Sequence, residues 1–161
     1  MDDVEIPPDA TVFRSGGRTY YLYMGALEMR ALQREWGLVR SMVDSTEAWE
    51  KKQQEFQDRL NGGAMEDKLA VLRHALTRWA KAWNELKQGT NGSAVQLDDD
   101  AVARIVEEME VPKGTRRKAA FVRLSELHRR FYFDCFGMRP EAEEKDPKEP
   151  GGAEDSTPSG S

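Results

Sequence analysis

The side chains that most often carry chemistry in proteins are few in this sequence and stand far apart. There are two histidines, His74 and His128, and one cysteine, Cys135, in 161 residues. Neither histidine has a second His or Cys at metal-site spacing, so we expect both at the surface or boundary of the fold. No basic partner or helix N-terminus is identifiable beside Cys135, which favours a small core residue over a nucleophile. The sequence predicts no catalytic residue, no metal site and no cofactor.

Acidic and glycine clusters are the next candidates for ligand chemistry, and local structure explains both. The run Asp98–Asp100 lacks the turn glycine and the distal glutamate of a calcium loop, so it predicts a helix start with Asp98 as N-cap. The pairs Gly16–Gly17 and Gly62–Gly63 lack the lysine and hydroxyl residues that end a phosphate-binding loop. We interpret both pairs as turns.

A basic segment near the end of the chain is its strongest charge feature. Between residues 113 and 130, seven Lys or Arg residues stand against one acidic residue, Glu126, a local excess of +6. We favour a solvated face of a final helix. Nucleic-acid binding is the second interpretation, because Pro112–Gly114 has the length of the turn in a helix-turn-helix. The cations that would then contact nucleic acid are Arg116, Arg117, Lys118, Arg123, Arg129 and Arg130.

The element that we expect to organise the fold is a hairpin that runs into a helix. Gly16–Gly17 can supply the positive φ angles of a tight turn, and the Thr/Tyr-rich run Thr19–Tyr23 suits a half-buried strand. Apolar residues then recur at helical spacing, and Gly37 is placed to end the helix. The buried face of this helix is expected to hold Met29, Leu32 and Trp36, with Leu27 and Ala31 beside it.

Four further helices are predicted from apolar periodicity and capping residues. The second begins at Asp44, which has the spacing of a capping box, and ends before Asn61. The third, Ala64–Gln88, carries a heptad seam that we interpret as core, with self-association as the alternative. The fourth starts at Asp98, and the last spans Thr115–Phe136. The seam consists of Met65, Leu69, Leu72, Leu76, Trp79, Trp83 and Leu86.

Length and charge indicate one domain with a tail. The apolar fraction is 39%, enough for one modest core. Residues 139–161 hold three basic and seven acidic residues, which gives −4 of the net charge of −5 and leaves −1 for residues 1–138. Because this segment is also poor in apolar residues, we expect it to be a disordered acidic tail. The predicted organisation is an extended lead-in over 1–10, a single mainly α domain with an N-terminal β-hairpin and a bundle of about five helices over 11–138, and the tail over 139–161.

The compartment is indicated by the cysteine count and by the N-terminal residues. A single cysteine excludes an intramolecular disulfide framework. The N-terminus is acidic and lacks the basic and apolar regions of a signal peptide, and no apolar run approaches the ~20 residues that span a bilayer. We therefore expect a protein of a reducing compartment, with the cytoplasm as the default, and no membrane insertion.

Three segments follow one another in an order found in a known family. The first reads Gly-Arg-x-Tyr-x-Leu from Gly17 and continues as Gly-Ala-Leu-x4-Leu-x4-Gly from Gly25. The second is the leucine-rich helix Leu69–Leu76, and the third is Leu97–Val106, with its acidic cap followed by Val and Ile. Together they resemble the small tail-assembly chaperones encoded by long-tailed phages and by gene transfer agents. The resemblance covers about residues 12–110, apart from a polar insertion over 41–63.

The resemblance implies a non-enzymatic, virus-encoded protein of the host cytoplasm that binds the tape-measure protein and keeps it soluble during tail morphogenesis. The tail-tube protein is a second candidate partner. Such a chaperone needs apolar surface beyond its own core, and the candidates outside the main seams are Trp36, Trp49 and Phe56, whose alternative role is to cap the core. A small nucleic-acid-binding regulator and a structural tail subunit are the alternative functions.

Overall fold

The fold begins with a two-stranded antiparallel hairpin, as predicted. The computed structural model describes residues 4–87, 94–111, 114, 116 and 118–137. Strand β1 (Thr11–Ser15) pairs with strand β2 (Arg18–Leu22) across the two-residue turn Gly16–Gly17. The two turn residues have φ angles of 56° and 78°, which a tight hairpin turn requires and which glycine adopts without strain.

The other described residues are mainly helical, which confirms the predicted class. Six α-helices lie in the described part of the chain, where about five were expected, together with a short 3-10 turn at Arg40–Met42. The predicted tail, 139–161, and Thr115, the predicted start of the last helix, lie outside the described residues. The helices are α1 (Ala26–Glu35), α2 (Thr46–Leu60), α3 (Met65–Ala75), α4 (Thr77–Leu86), α5 (Asp99–Glu107) and α6 (Ala120–Phe136).

The predicted third helix is in fact two helices, because it is interrupted at Leu76. The Tyr23 amide at the end of the hairpin donates to the Ala75 carbonyl at 2.9 Å, which in a continuous helix would accept the Trp79 amide. Leu76 therefore ends α3 and begins α4. The prediction of one helix over Ala64–Gln88 is wrong, since side-chain periodicity does not reveal a competing backbone hydrogen bond.

The central part of the heptad seam lies in the core. The indole N–H of Trp79 donates to the Thr19 carbonyl of β2 at 3.0 Å, so the seam also fastens the hairpin to α4. The two ends of the seam are exposed to solvent. The fully buried seam residues are Leu72, Leu76 and Trp79, and the exposed ones are Met65 and Leu86.

Helix α3 is the central element of the packing. It contacts α1, α2, α5 and α6, and α6 also contacts α5 and β1. The hairpin and every α-helix contribute residues to the core. At the edge of this core, the Thr11 hydroxyl of β1 donates to the Asp134 carboxylate of α6 at 2.6 Å. The first strand and the last helix are therefore direct neighbours.

The capping residue of α2 differs from the predicted one. The structure places Ser45, not Asp44, at the N-cap, where its hydroxyl accepts the Ala48 amide at 3.1 Å. Both Asp and Ser are good N-cap residues, so two adjacent candidates cannot be separated by residue type alone. The predicted N-cap of α5, Asp98, is confirmed by its bond to the Ala101 amide at 2.8 Å.

Helix α1 is rotated slightly from its predicted orientation. Its buried residues are Glu28 and Leu32, whereas Leu27 is 72% exposed and does not lie beside the buried face. The Glu28 carboxylate accepts the Gly25 amide at 2.8 Å and contacts Arg78 of α4 at 3.0 Å. These polar contacts bring Glu28 inward, and Leu27, about 100° round the helix, turns outward.

His128 is buried, and the prediction that it lies at the surface or boundary is wrong. Its side chain on α6 is 1% exposed, and its Nε2 lies 3.2 Å from the Leu60 carbonyl. The ring packs against Gly62, whose φ is 76° and where a Cβ would lie 2.6 Å from the His128 Cε1. Arg129 and Arg130 beside it are exposed, so the sequence neighbours of His128 gave no sign of its burial.

Candidate functional site

The three aromatic residues predicted to bind a partner are divided between core and surface. Phe56 is only 8% exposed and belongs to the core. Trp36 is half-buried and lies with its ring centroid 5.5 Å from that of Phe56, while the Arg59 guanidinium covers Trp36 at 4.1 Å. Trp49 is half-buried, 5.7 Å from the Arg40 guanidinium. The pairing of Trp36 with Phe56 fits the alternative role of capping the core.

Arg123, one of the predicted nucleic-acid contacts, is turned into the fold. Its guanidinium donates to the carbonyls of Val106 at 3.4 Å, of Glu107 at 2.9 Å and of Lys118. The first two carbonyls lie in the last turn of α5, where helix carbonyls lack regular intrahelical donors and a positive charge is favoured. Arg123 is buried and ties α5 to α6, so it cannot present its charge to a phosphate.

The other described cations of the basic segment face solvent. The Nζ of Lys118 lies 2.7 Å from the Glu126 carboxylate, and Arg130 donates to the Val12 carbonyl of β1. The second contact ties α6 to the hairpin. The exposed cations are Arg116, Lys118, Arg129 and Arg130, and Arg117 lies outside the described residues.

An open groove lies between α6 and the segment that follows α5. Its volume of about 650 Å³ lies within the ~300–1,000 Å³ that is usual for ligand sites. We call it the α5–α6 groove. Among the residues that the structure describes, its charged lining comprises the five cations named above and the carboxylates of Glu110 and Glu126. Its apolar lining consists of Met109, Val111, Leu127 and Phe133.

Phe133 is the most exposed apolar residue of the groove, and it was not among the predicted site residues. It is 53% exposed, whereas Leu127 is buried and Met109 and Val111 are half-buried. On α6, Phe133 lies about 200° round the helix from Phe131, which belongs to the buried face. A bulky apolar residue three and four positions after the exposed Arg130 and Arg129, and so on their side of the helix, is the sequence signal that could have identified it.

The hairpin fixes one wall of the α5–α6 groove. The Gly16 amide donates to the Glu108 carbonyl at 3.1 Å, and the Glu110 amide donates to the Arg14 carbonyl at 3.0 Å. Met109 lies between these bonds and forms an isolated antiparallel bridge with β1. Helix α6, the other wall, is held by the two arginine contacts described above. The apolar floor is therefore positioned by backbone pairing and not by side-chain packing alone.

A second exposed apolar surface lies on α1 and α4. Leu27 and Ala31 of α1 line a cavity of about 580 Å³ together with Ala82 of α4. The described charged side chains around it are two carboxylates and two cations, whose formal charges cancel. They are Glu28, Glu85, Arg78 and Lys81.

A cluster of charged groups joins α1, α3 and α5. The Glu35 carboxylate accepts from Arg73 at 2.5 Å and lies 2.8 Å from the Nε2 of His74, and Arg73 also contacts Asp99 at 2.9 Å. The hydrogen bond from Arg73 is the largest cause that lowers the pKa of Glu35 to about 2. The charged groups of this cluster form ion pairs and hydrogen bonds with one another, so we interpret the cluster as a structural link between the three helices. His74 lies at the boundary of the fold, as predicted.

Cys135 is half-buried on α6 and packs against the core. Burial raises the pKa of its thiol, which keeps the sulfur protonated and weakly nucleophilic.

In the described part of the chain no group of three or more His, Cys, Asp or Glu residues could hold a metal ion. None of the described helices has the length and apolar character needed to cross a membrane. Comparison of the chain with protein-family models, with curated proteins and with solved structures gives no match.

Proposed function

We propose that this chain is a tail-assembly chaperone of a long-tailed phage or a gene transfer agent, which binds the tape-measure protein and keeps it soluble during tail morphogenesis. In this proposal the chain acts by binding, without catalysis, in the host cytoplasm. The observation that carries the proposal is the α5–α6 groove. The family resemblance of residues 12–110 supplies the identity of the partner.

The groove supports a chaperone role because such a protein must expose apolar surface that its own core does not use. Phe133 is 53% exposed and belongs to the apolar floor of the groove. An amphipathic helix can lay its apolar face into a groove of this kind. The resemblance implies a tape-measure partner that is long, helical and apolar, and such a chain would offer many such faces.

The groove is a better candidate for the partner surface than the predicted aromatic residues. Phe56 is buried, and Trp36 is covered by Arg59 and packs on Phe56. Trp49 keeps part of its surface exposed, but its indole lies under a guanidinium. Binding through Trp36 or Phe56 would therefore require the core contacts of α2 to open first.

Co-expression tests the proposal. The full chain is produced together with the tape-measure protein encoded nearest to its gene, and the soluble, co-purified fraction of that protein is measured. We expect the wild-type chain to keep the tape-measure protein in solution and Phe133→Ser to lose most of this effect. Leu27→Ser is the matched control, because Leu27 is the more exposed residue and lies on the α1–α4 surface. Trp49→Gln tests the predicted aromatic surface separately.

Circular-dichroism melts of each variant show whether a loss of capture is a loss of folding. A tape-measure protein that is equally insoluble with and without the wild-type chain would overturn the proposal. Loss of capture by folded Trp49→Gln, with Phe133→Ser unaffected, would move the binding surface from the groove to α2.

A further inference from the structure

We infer that the α5–α6 groove selects amphipathic helices whose apolar ridge is flanked by carboxylates, with Phe133 and Met109 contacting the ridge and Arg116 contacting a flank. This inference rests on the proposed function and specifies the chemistry of the segment that is bound.

The apolar part of the inference comes from the shape of the groove. Its floor is a strip formed by Met109 and Val111 on one side and by Leu127 and Phe133 on the other. Methionine adapts to varied apolar partners, and a half-exposed Phe gives a large contact area when it is covered. The hairpin holds the Met109 side by backbone bonds, so the strip exists before a partner arrives.

The charged part comes from an excess of cations around that floor. Among the described lining residues, four exposed cations and two carboxylates give a formal charge of +2, without the buried Arg123, in a chain whose net charge is −5. Both carboxylates already have cationic neighbours in the chain. Glu126 lies 2.7 Å from Lys118, and Glu110 lies 3.4 Å from Arg14. The lining therefore offers positive potential to a partner, which favours carboxylates and disfavours lysines beside the apolar ridge.

The same cations could attract a nucleic acid, but the groove fits that partner less well. The Arg123 guanidinium already donates hydrogen bonds to backbone carbonyls, and the Lys118 ammonium is already paired with the Glu126 carboxylate. Phosphate contacts supply most of the affinity of a nucleic-acid interface, and an apolar strip between the remaining cations contributes nothing to them. An apolar floor with a cationic edge is the complement of an acidic amphipathic helix.

Two synthetic peptides and one DNA duplex test the inference on the full-length chain. The peptides have the same length and the same leucine ridge, and differ only in that the flanking positions are Glu in one and Lys in the other. Binding of each fluorescently labelled probe is followed by anisotropy at low and at high salt. We expect the Glu peptide to bind about tenfold more tightly than the Lys peptide at low salt, and the difference to shrink as salt screens the charges.

Three variants link this preference to the groove. Arg116→Glu should reduce the ratio between the two peptides severalfold, whereas Arg30→Glu, the same change at an exposed position of α1, should leave the ratio unchanged. Phe133→Ser should weaken both peptides by a similar factor and preserve their ratio. Folding of each variant is checked by its thermal melt, and all three positions are exposed, so the fold is expected to persist.

Equal affinity for the two peptides, tighter binding of the Lys peptide, or no binding of either would overturn the inference. So would DNA that binds more tightly than the Glu peptide and loses affinity with Arg116→Glu, since the groove would then serve nucleic acid. These outcomes are separate from the co-expression test. If the tape-measure protein is kept soluble while the two peptides bind alike, the proposed function stands and only the preference for acidic helices fails.

Discussion

At the scale of single residues, Gly62 and His128 are packed so closely that a Cβ on the glycine would lie 2.6 Å from the imidazole Cε1. The glycine has a left-handed backbone, and its missing side chain leaves the space that the buried imidazole occupies. Neither residue can therefore be changed without disturbing the other. The two consequences, one steric and one electrostatic, can be measured separately.

The steric consequence concerns replacement of the glycine. Gly62→Ala should lower the free energy of unfolding by about 1–3 kcal/mol, because the new Cβ would press on the imidazole and the left-handed backbone would be strained. Gly63→Ala is the control, since a Cβ there meets nothing within 4 Å. Urea unfolding of both variants checks this. Equal midpoints for the two would contradict the contact between Gly62 and His128.

The electrostatic consequence is a loss of stability in mild acid. Burial, with a smaller effect from the charge of Lys68, lowers the pKa of His128 from 6.5 to about 4. The unfolded chain therefore binds this proton at a higher pH than the folded chain does. The stabilisation is complete above pH 6.5 and is lost as the pH falls toward 4, by up to about 3 kcal/mol. Urea midpoints measured between pH 7 and 4 should decline, and His128→Gln should flatten the decline.

Glu35 provides the control for that experiment because it acts at lower pH. The hydrogen bond from Arg73 lowers its pKa from 4.5 to about 2, so its stabilisation is present above pH 4.5 and is lost between 4.5 and 2. Glu35→Gln should therefore keep the decline that His128 causes between pH 6.5 and 4.5. A decline in that range that survives His128→Gln unchanged would show that another group is responsible.

At the scale of elements, α3 and α4, which are separated by the break at Leu76, supply fully buried residues at the centre of the core. Trp79→Ala should lower the free energy of unfolding by about 3–5 kcal/mol, because the indole is fully buried and its N–H bond to β2 would be lost. Trp83→Ala should cost less, since Trp83 is half-buried and one face is covered by Arg18. Chemical unfolding of the two variants compares them directly. Equal losses would mean that the core extends further along α4.

The elements whose signals are local could be predicted from the sequence. The Gly16–Gly17 turn and the Asp98 cap each depend on residues within a few positions, and both were found where they were expected. The break at Leu76 could not be predicted, because its cause is a hydrogen bond from Tyr23, more than fifty positions away. The burial of His128 was also hidden, since the partner that makes room for it is a glycine on another element.

At the scale of the whole molecule, the groove could not be predicted either. Met109 and Leu127 fit the apolar periodicity of two separate helical segments, and the cations fit a solvated face. Only the association of α5 with α6 and with the hairpin places them around one cavity. The basic character of the segment was predictable. The inward orientation of Arg123 was not, because its guanidinium binds carbonyls at the C-terminal end of a different helix, α5.

The predicted acidic tail gives a further expectation for the whole chain. Its residues are too poor in apolar side chains to add to the core, so removal of residues 141–161 should leave the melting temperature unchanged. The shortened chain should be less soluble at high concentration, because residues 141–161 carry two basic and seven acidic residues, and their removal brings the net charge from −5 to 0. A chain with a Gly/Ser segment of equal length is the control. A drop of several degrees in both would mean that the tail packs on the domain.

The bond between Thr11 and Asp134 has a consequence for synthesis on the ribosome. The first strand is translated early, but the helix that covers its edge is the last of the described helices to emerge. Until then Val12 and Thr11 lack the α6 groups that they contact in the finished domain. Folding of this domain must therefore finish late, after nearly all of its residues have been translated. Until then, the edge of β1 in the nascent hairpin lacks its contacts with α6.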